Sequence, residues 1–431
     1  MINVVLIIIG KFFSTFSLLL NAGSGSTWPG HIALSINKNF IKDVLKNSKV
    51  KIILIAGTNG KTTTGKLIQT ILEKNNFRVF QNEGGANLLN GIASSLLLHS
   101  DILGALKYDF AIFEIDENTL PLILKEINNP NYIILLNLFR DQLDRYGEVN
   151  IVAQKWQKAL SNLTVKTKLI LNADDPQIAF LGEKLKSKVS YFGINPTNNA
   201  TRAQHASDST YCPNCGHKLV YDSVYFSHLG NWQCSNCGFK HPQKTFTSSP
   251  VYPLPGAYNE YNTNAAVLLA ELIGVNKKVI NFALQNFKPA FGRQEILNVY
   301  GKKVQIFLSK NPTSFNESLK TIINLNATNL LIVLNDRIPD GRDVSWIWDV
   351  DFDVVKNLRG SISVAGDRVY DIALRLKYDN IPIEDKLIYT DLEDAIFSSL
   401  KITPKSETLY ILPTYSAMLE VRKILTGRKI L

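Results

Sequence analysis

Two groups of residues in this chain have types and spacings suited to chemistry. The first is Gly57-Thr58-Asn59-Gly60-Lys61-Thr62-Thr63-Thr64. It follows the apolar run Lys51–Ala56, which reads as a buried parallel strand. It precedes Gly65 to Leu72, whose apolar spacing predicts a helix. A glycine-bearing turn at a helix N-terminus aims backbone N–H groups at phosphates, and the helix dipole adds partial positive charge. Gly57 to Thr63 would form this cradle, with Lys61 neutralising the β- and γ-phosphates and the Thr62 hydroxyl ligating Mg²⁺. The string is one residue shorter than the usual G-x-x-x-x-G-K-[ST] pattern. The expected chemistry is ATP binding. Tyr108 to Glu117 is a second buried strand, ending in acids. Glu114 is the first choice for a Mg²⁺-holding carboxylate, against the alternative that these acids only solvate a strand end.

The second group is Cys212-x-x-Cys215 and Cys234-x-x-Cys237, separated by an aromatic-rich run containing Tyr221, Tyr225, Phe226 and Trp232. Two CxxC knuckles, each followed by glycine (Gly216 and Gly238), supply four thiolates for a closed tetrahedral Zn²⁺ site. With no open coordination position, such a zinc is structural and not catalytic. These are the chain's only cysteines, so a disulfide scaffold is not expected and a reducing compartment is.

The elements that must position these groups follow an α/β pattern. Strand-like runs alternate with helical ones through Tyr132–Leu136 and Leu169–Leu171, which predicts a doubly wound sheet with its loops at one edge. A second α/β unit is signalled by Val304–Leu308, Leu330–Leu334, Ser361–Ala365 and Thr408–Pro413. The expected organisation is an apolar and amphipathic segment at 1–48, an ATP-binding domain at 49–297 with a zinc ribbon inserted at about 205–245, and a smaller α/β domain at 298–431. The composition, 45% hydrophobic and 19% charged over 431 residues, excludes a disordered chain. The net charge of +10 favours an anionic partner. Ile2 to Leu20 is apolar but split by Gly10 and Lys11, and predicts a helix packed on the protein or lying at a membrane surface.

Together these residues resemble the Mur ligase family, ATP-dependent enzymes that activate a carboxylate as an acyl phosphate. The resemblance rests on the Gly57–Thr64 loop, Glu114, the segment Asn137…Asp141…Asp144-Arg145-Tyr146, Asn172-x-Asp174-Asp175, Gly256-x-x-Asn259-x-x-Asn262 and Gly292-Arg293-x-Glu295. It implies that Asn262 contacts adenine and Arg293 the nucleotide phosphates, and it sets Lys155 near a carbamylated, magnesium-bridging lysine. Three departures stand out. No UDP-sugar-holding domain precedes the phosphate loop, Gln142 replaces a family histidine, and Lys310 to Asn316 replaces an aspartate-led nucleotide loop.

The shortened N-terminal side, the ribbon and the string Asp340 to Asp349 resemble the amidating branch of the family, the synthetase subunits that work with a GatD-type glutamine amidotransferase. That likeness implies ATP-driven amidation of the D-glutamate α-carboxyl of lipid II to D-isoglutamine, in peptidoglycan biosynthesis, with ammonia from the partner of a heterodimer. It further implies that an aspartate orients the partner's catalytic histidine. Asp349, directly after Trp346-Ile347-Trp348, is the first choice and Asp343 the second. The expected location is cytoplasmic, with contact at the inner face of the membrane left open. A ligase adding an amino acid to a carboxylate, as folylpolyglutamate synthases do, is the alternative. A nucleic-acid-dependent NTPase ranks last, because nothing outside the ribbon interleaves basic and aromatic residues, and no nucleic-acid partner is expected.

Overall fold

The computed structural model of the chain describes residues 2–19, 27–46, 48–82, 85–140, 149–183, 185–195, 208–381 and 383–427. Three helices come first: α1 (Ile2–Leu19), α2 (Trp28–Ile36) and α3 (Phe40–Lys46). The first sheet then alternates strictly with helices, through β1 (Lys51–Ala56), α4 (Lys61–Lys74), β2 (Val79–Gln81), α5 (Leu89–His99), β3 (Phe110–Ile115), α6 (Leu120–Glu126) and β4 (Tyr132–Leu135). It ends with α7 (Val149–Leu160), β5 (Lys168–Asn172), α8 (Pro176–Gly182) and β6 (Lys188–Phe192). The six strands are all parallel, in the order β2-β3-β1-β4-β5-β6.

Ile52 to Ile55 show why β1 is central. Branched aliphatic side chains suit a pleat covered on both faces, and all four are buried. One face packs on α1, α2, α3, α5, α6 and α7, through residues such as Leu54, Ile92 and Trp156. The other packs on α4 and on two later helices, α9 (Ala257–Ile273) and α10 (Lys277–Gln285).

Between β6 and α9 stands the ribbon, an antiparallel hairpin of β7 (Val220–Phe226) and β8 (Leu229–Gln233). The fully buried Trp232 packs there with Leu219 and Phe239.

The second sheet has the order β12-β11-β13-β10-β9. Its strands are β9 (Arg293–Val299), β10 (Lys302–Phe307), β11 (Asn329–Val333), β12 (Ile362–Ala365) and β13 (Thr408–Pro413), and only β9 runs antiparallel to its neighbour. Because β9 hydrogen-bonds along β10, this sheet takes up the chain from Arg293, ahead of residue 298. Helices α11 (Pro312–Asn324), α12 (Val369–Tyr378), α13 (Leu392–Ile402) and α14 (Tyr415–Thr426) cover its faces. Asn311 caps α11: its side chain accepts from Ser314 N–H, Ser314 Oγ accepts from Asn311 N–H, and Pro312 opens the helix.

Candidate active site between the two sheets

The carboxyl ends of β1, β3 and β4 converge, and the phosphate loop lies across them. Asn137, just past β4, holds it. Asn59 N–H donates to Asn137 Oδ1 at 2.9 Å, Asn137 Nδ2 donates back to the Asn59 carbonyl at 3.1 Å, and Thr58 N–H reaches the Asn137 carbonyl at 3.1 Å. Gly60 ends the loop at φ +91°, a backbone state that costs a side chain dearly. A Cβ there would fall 2.1 Å from Asn262 Oδ1. Asn262 therefore sits against the loop itself, accepting from Thr64 Oγ1 at 3.3 Å and donating to Asn259 Oδ1 at 3.2 Å.

The loop's charged groups are buried with their partners. Lys61 Nζ donates to the Gly57 carbonyl and to the Thr58 carbonyl at 3.3 Å, and lies 3.5 Å from Glu117 Oε2. Thr62 Oγ1 donates to Glu114 Oε2 at 2.6 Å. The Arg293 guanidinium is drawn below the usual arginine range by burial, opposed chiefly by the Glu114 carboxylate. A hydroxyl and a carboxylate in contact, beside a lysine and an arginine, are the donors that a Mg²⁺–triphosphate group needs. All of them line one cavity of about 290 Å³. Lys155 does not: it is exposed on α7, with Nζ 3.2 Å from Asn118 Oδ1. Asp141, Gln142, Asp144, Arg145 and Tyr146 lie outside the described residues.

The cavity also contains residues whose role the sequence did not signal. Glu117 was visible only as the last acid after β3, and Tyr258 as one residue of a longer string. Lys310 opens the string that stands in place of the family's nucleotide loop, whereas Glu317 and Tyr415 come from helices of the second sheet, and no local pattern ties those two to the phosphate loop. Burial pushes the Tyr258 hydroxyl well above its ordinary range, and it accepts a hydrogen bond from Gln294 Nε2. Asn311 Nδ2 donates across the cleft to Asn59 Oδ1 at 3.2 Å, so the phosphate loop touches the second domain directly.

The four cysteine sulfurs all lie within 4.8 Å of one another, with Cys212–Cys237 at 3.6 Å and Cys215–Cys234 at 3.5 Å. Tetrahedral zinc thiolates stand about 3.8 Å apart, from Zn–S bonds of about 2.3 Å, so the donor set fits that metal. Each knuckle closes through a glycine at positive φ (+76° at Gly216, +75° at Gly238), whose N–H donates to the first cysteine's carbonyl. Hydrogen bonds, first from the Phe239 backbone, hold the Cys237 thiol down to about 6, whereas burial pushes Cys212 up to about 12.

The ribbon is tied to the sheet by the acids after β5. Asp174 is fully buried and accepts from Lys244 Nζ at 2.9 Å and Tyr261 OH at 2.8 Å, with His241 Nε2 at 2.7 Å. Asp175 caps α8, accepts from Leu138 N–H at 2.9 Å, and has His228 Nε2 at 3.4 Å. Phe226 of β7 and Tyr261 beside Asp174 both line the cavity, so ribbon and site share a wall.

Asp349 stands apart from this cavity. It ends a short 3₁₀ turn, Ser345–Asp349, and its exposed carboxylate makes no hydrogen bond or ion pair with the described residues. Asp343 instead accepts from Ser345 N–H at 2.8 Å, which lowers its pKa and fixes the turn. Trp346 packs on Phe315, while Trp348 is half exposed between Arg375 and Tyr378.

Comparison with known proteins agrees with this geometry. A family model described as the Mur ligase middle domain matches residues 55–270, and one described as MurT ligase C-terminal matches residues 308–418. The lipid II isoglutaminyl synthase (glutamine-hydrolyzing) subunit MurT of Staphylococcus aureus strain COL is 34% identical over 378 residues, covering 83% of this chain and 84% of that protein. The protein of the same name from Streptococcus pneumoniae strain R6 is 31% identical over 439 residues, covering 97% and 96%. In fold, the chain is similar to a pseudomurein peptide ligase type C from Methanothermus fervidus, with a TM-score of 0.64 at 23% identity over 90% of this chain and 81% of that one. With the Mur ligase phosphate loop, the four-cysteine ribbon and the C-terminal domain in one polypeptide, the chain belongs to the MurT family of Mur ligase-type proteins.

Proposed function

We propose that the protein is the synthetase subunit of a lipid II isoglutaminyl synthase, amidating the D-glutamate α-carboxyl of the stem peptide in peptidoglycan biosynthesis. The observation that carries this reading is the Thr62–Glu114 pair at 2.6 Å, set beside Lys61 and Arg293 in a cavity shared by both domains, in a chain that is 34% identical to a MurT subunit. An acceptor carboxylate oxygen attacks the γ-phosphorus of ATP, the bond to ADP breaks, and an acyl phosphate forms. Ammonia then attacks the acyl carbon, the C–O bond to phosphate breaks, and the nitrogen sheds a proton to give the amide. Thr62 and Glu114 would hold Mg²⁺, which supplies charge neutralisation on the transferring phosphoryl group. Lys61 and Arg293 bind the phosphates and keep them oriented, and Asn262 braces the loop. Cys212, Cys215, Cys234 and Cys237 would hold a structural Zn²⁺.

Glutamine hydrolysis requires a nucleophile from another polypeptide, because all four thiols of this chain lie in the ribbon cluster. The partner is a GatD-type glutamine amidotransferase, and Asp349 orients its catalytic histidine. In support, Asp349 is exposed beside Trp348 with no hydrogen bond or ion pair to the described residues, and Tyr370, Leu374 and Tyr378 leave an exposed ridge along neighbouring α12. The reaction takes place in the cytoplasm, on a lipid-linked substrate.

Mass spectrometry of D-glutamate-containing lipid II after incubation with ATP, Mg²⁺ and ammonium tests the synthetase half: conversion of one carboxyl to an amide is expected. Asp349→Asn should leave that conversion intact and abolish it when glutamine and the amidotransferase replace ammonium. ATP-dependent addition of an amino acid to another acceptor, without amidation, overturns the reading.

A further inference from the structure

Helix α1 has two apolar faces, and the described residues bury one of them. Leu6, Ile7, Gly10 and Ser14 are buried, with Gly10 so close to α5 that a Cβ there would fall 2.6 Å from Leu97 Cδ1. Turned away from that face are Ile2, Val5, Ile8, Ile9, Phe12 and Phe13, all exposed, with Phe12 at 65%. The 2-5-9-12 spacing makes them one helical stripe. The neighbouring turn at Gly104, where an added Cβ would fall 3.4 Å from Ile7 Cδ1, carries two more exposed apolar side chains, Ile102 and Leu103, the latter 77% exposed. Isolated exposed apolar residues are ordinary, but a continuous patch of this kind marks a surface that something covers.

We infer that this face docks on an anionic lipid bilayer, with α1 lying in the interface plane. The chemistry of the patch selects that occupant. Its side chains are aliphatic and phenylalanine, without hydrogen-bonding groups, whereas protein interfaces draw on Tyr, Trp and Arg anchors with a polar rim. The charge around it is one-sided. Residues 2–49 contain five lysines (Lys11, Lys38, Lys42, Lys46, Lys49), no arginine and a single acid, Asp43. The four lysines from Lys38 onward are exposed, on and beside α3. Asp43 is engaged internally, accepting from Asn37 Nδ2 at 2.8 Å and Asn3 Nδ2 at 3.4 Å, and these bonds fix α1 to the lysine-bearing segment. An apolar helix face next to a cluster of lysines is the pattern that binds a negatively charged membrane surface. Among the described residues no helix is long and apolar enough to cross a membrane, which agrees with lying on one.

The test is co-sedimentation of the full chain with phosphatidylcholine vesicles carrying about a third phosphatidylglycerol. The chain should sediment with these and should be largely released by raised salt. The double substitution Ile8→Gln with Phe12→Gln should lower the bound fraction at least about tenfold. Both positions are solvent-exposed, so the melting temperature and ADP affinity should not move, and neither readout depends on amidation. Failure to sediment with anionic vesicles, equal binding to pure phosphatidylcholine, or unchanged binding by the double variant would each overturn the inference. So would a dimer in solution that the same two substitutions disperse without any vesicle binding.

Discussion

Replacing Gly60 by alanine probes the phosphate loop at its tightest point. The residue sits at φ +91°, where an L side chain costs roughly 1–2 kcal/mol. The added Cβ would also stand 2.1 Å from Asn262 Oδ1 and 3.0 Å from Asn262 Cγ, closer than real contacts come. Asn262 must give way, and its bonds to Thr64 at 3.3 Å and Asn259 at 3.2 Å would weaken. Those long, neutral bonds contribute about 0.5–1 kcal/mol each. The sum is about 2–4 kcal/mol against the nucleotide-ready loop, or a roughly 30- to 700-fold loss of affinity. Calorimetric titration of ADP and Mg²⁺ into the full chain measures it. Asn262→Ala separates the two costs, because it removes the clashing atoms and leaves the backbone strain. The double variant should bind about as tightly as Gly60→Ala alone, because the Asn262 bonds are lost in both, so the two single losses fall short of adding by about 1–2 kcal/mol. If Gly60→Ala binds ADP within about threefold of the wild type, or the double variant loses the full sum of the two single losses, the reasoning about this contact is wrong.

Thr62→Val keeps the side-chain volume and deletes the hydroxyl that reaches Glu114 at 2.6 Å, so ATP-dependent turnover should drop about a hundredfold with little change in melting temperature, read by steady-state kinetics and a thermal melt. Elemental analysis should find one metal equivalent per chain, and a strong chelator or Cys234→Ser should remove it and open the ribbon, seen as a red shift from the fully buried Trp232. His99 stacks on Phe80 at 4.4 Å, and burial first, then the Lys11 charge, holds its pKa below 6.5. The fold therefore favours the neutral ring. The stability this contributes is present above pH 6.5 and is lost as the pH falls through the lower folded value, so His99→Gln should flatten the pH dependence of denaturant midpoints below 6.5.

The parts of this molecule that were legible in the sequence are those in which chemistry is local. The phosphate loop lies within eight consecutive residues and each knuckle within four, so spacing alone carried both to the right strand–turn–helix and hairpin contexts. What stayed hidden depends on sequence distance. Asp174 and Asp175 read only as family markers just past the strand run Leu169–Leu171, yet their partners His241 and His228 lie 67 and 53 residues further on, and only the folded chain shows that they root the ribbon. The second sheet's edge strand was obscured for a related reason: Arg293 and Glu295 read only as family markers ahead of the first strand run at Val304–Leu308, but β9 is a half-exposed antiparallel edge that tolerates them. Glu317 and Tyr415 reach the cavity from helices with no motif of their own.

The position of Arg293 ties the two domains to one chemical event. It is the first residue of β9, and therefore of the second sheet, while its charge is felt by Glu114 at the end of β3 in the first. The next residue, Gln294, takes φ +61°, a backbone state that side chains avoid. Its amide offsets that cost by donating to the Pro255 carbonyl at 2.9 Å and to Tyr258 OH, both at the start of α9. Glu295, one residue on, is gripped in two bonds by Arg422 of α14 at 2.7 and 2.8 Å. Three consecutive residues thus engage the start of α9 and the far helix of the second domain and set a charge opposite Glu114. Asn59–Asn311 closes the same cleft from the phosphate-loop side. A rigid-body shift of the second domain would move Arg293 and Tyr415 relative to Thr62 and Glu114, so nucleotide affinity and domain closure draw on the same contacts. By linkage, a second ligand that seats better in one arrangement of the two domains alters the affinity of a nucleotide at the loop, and the nucleotide alters that ligand's affinity by the same factor.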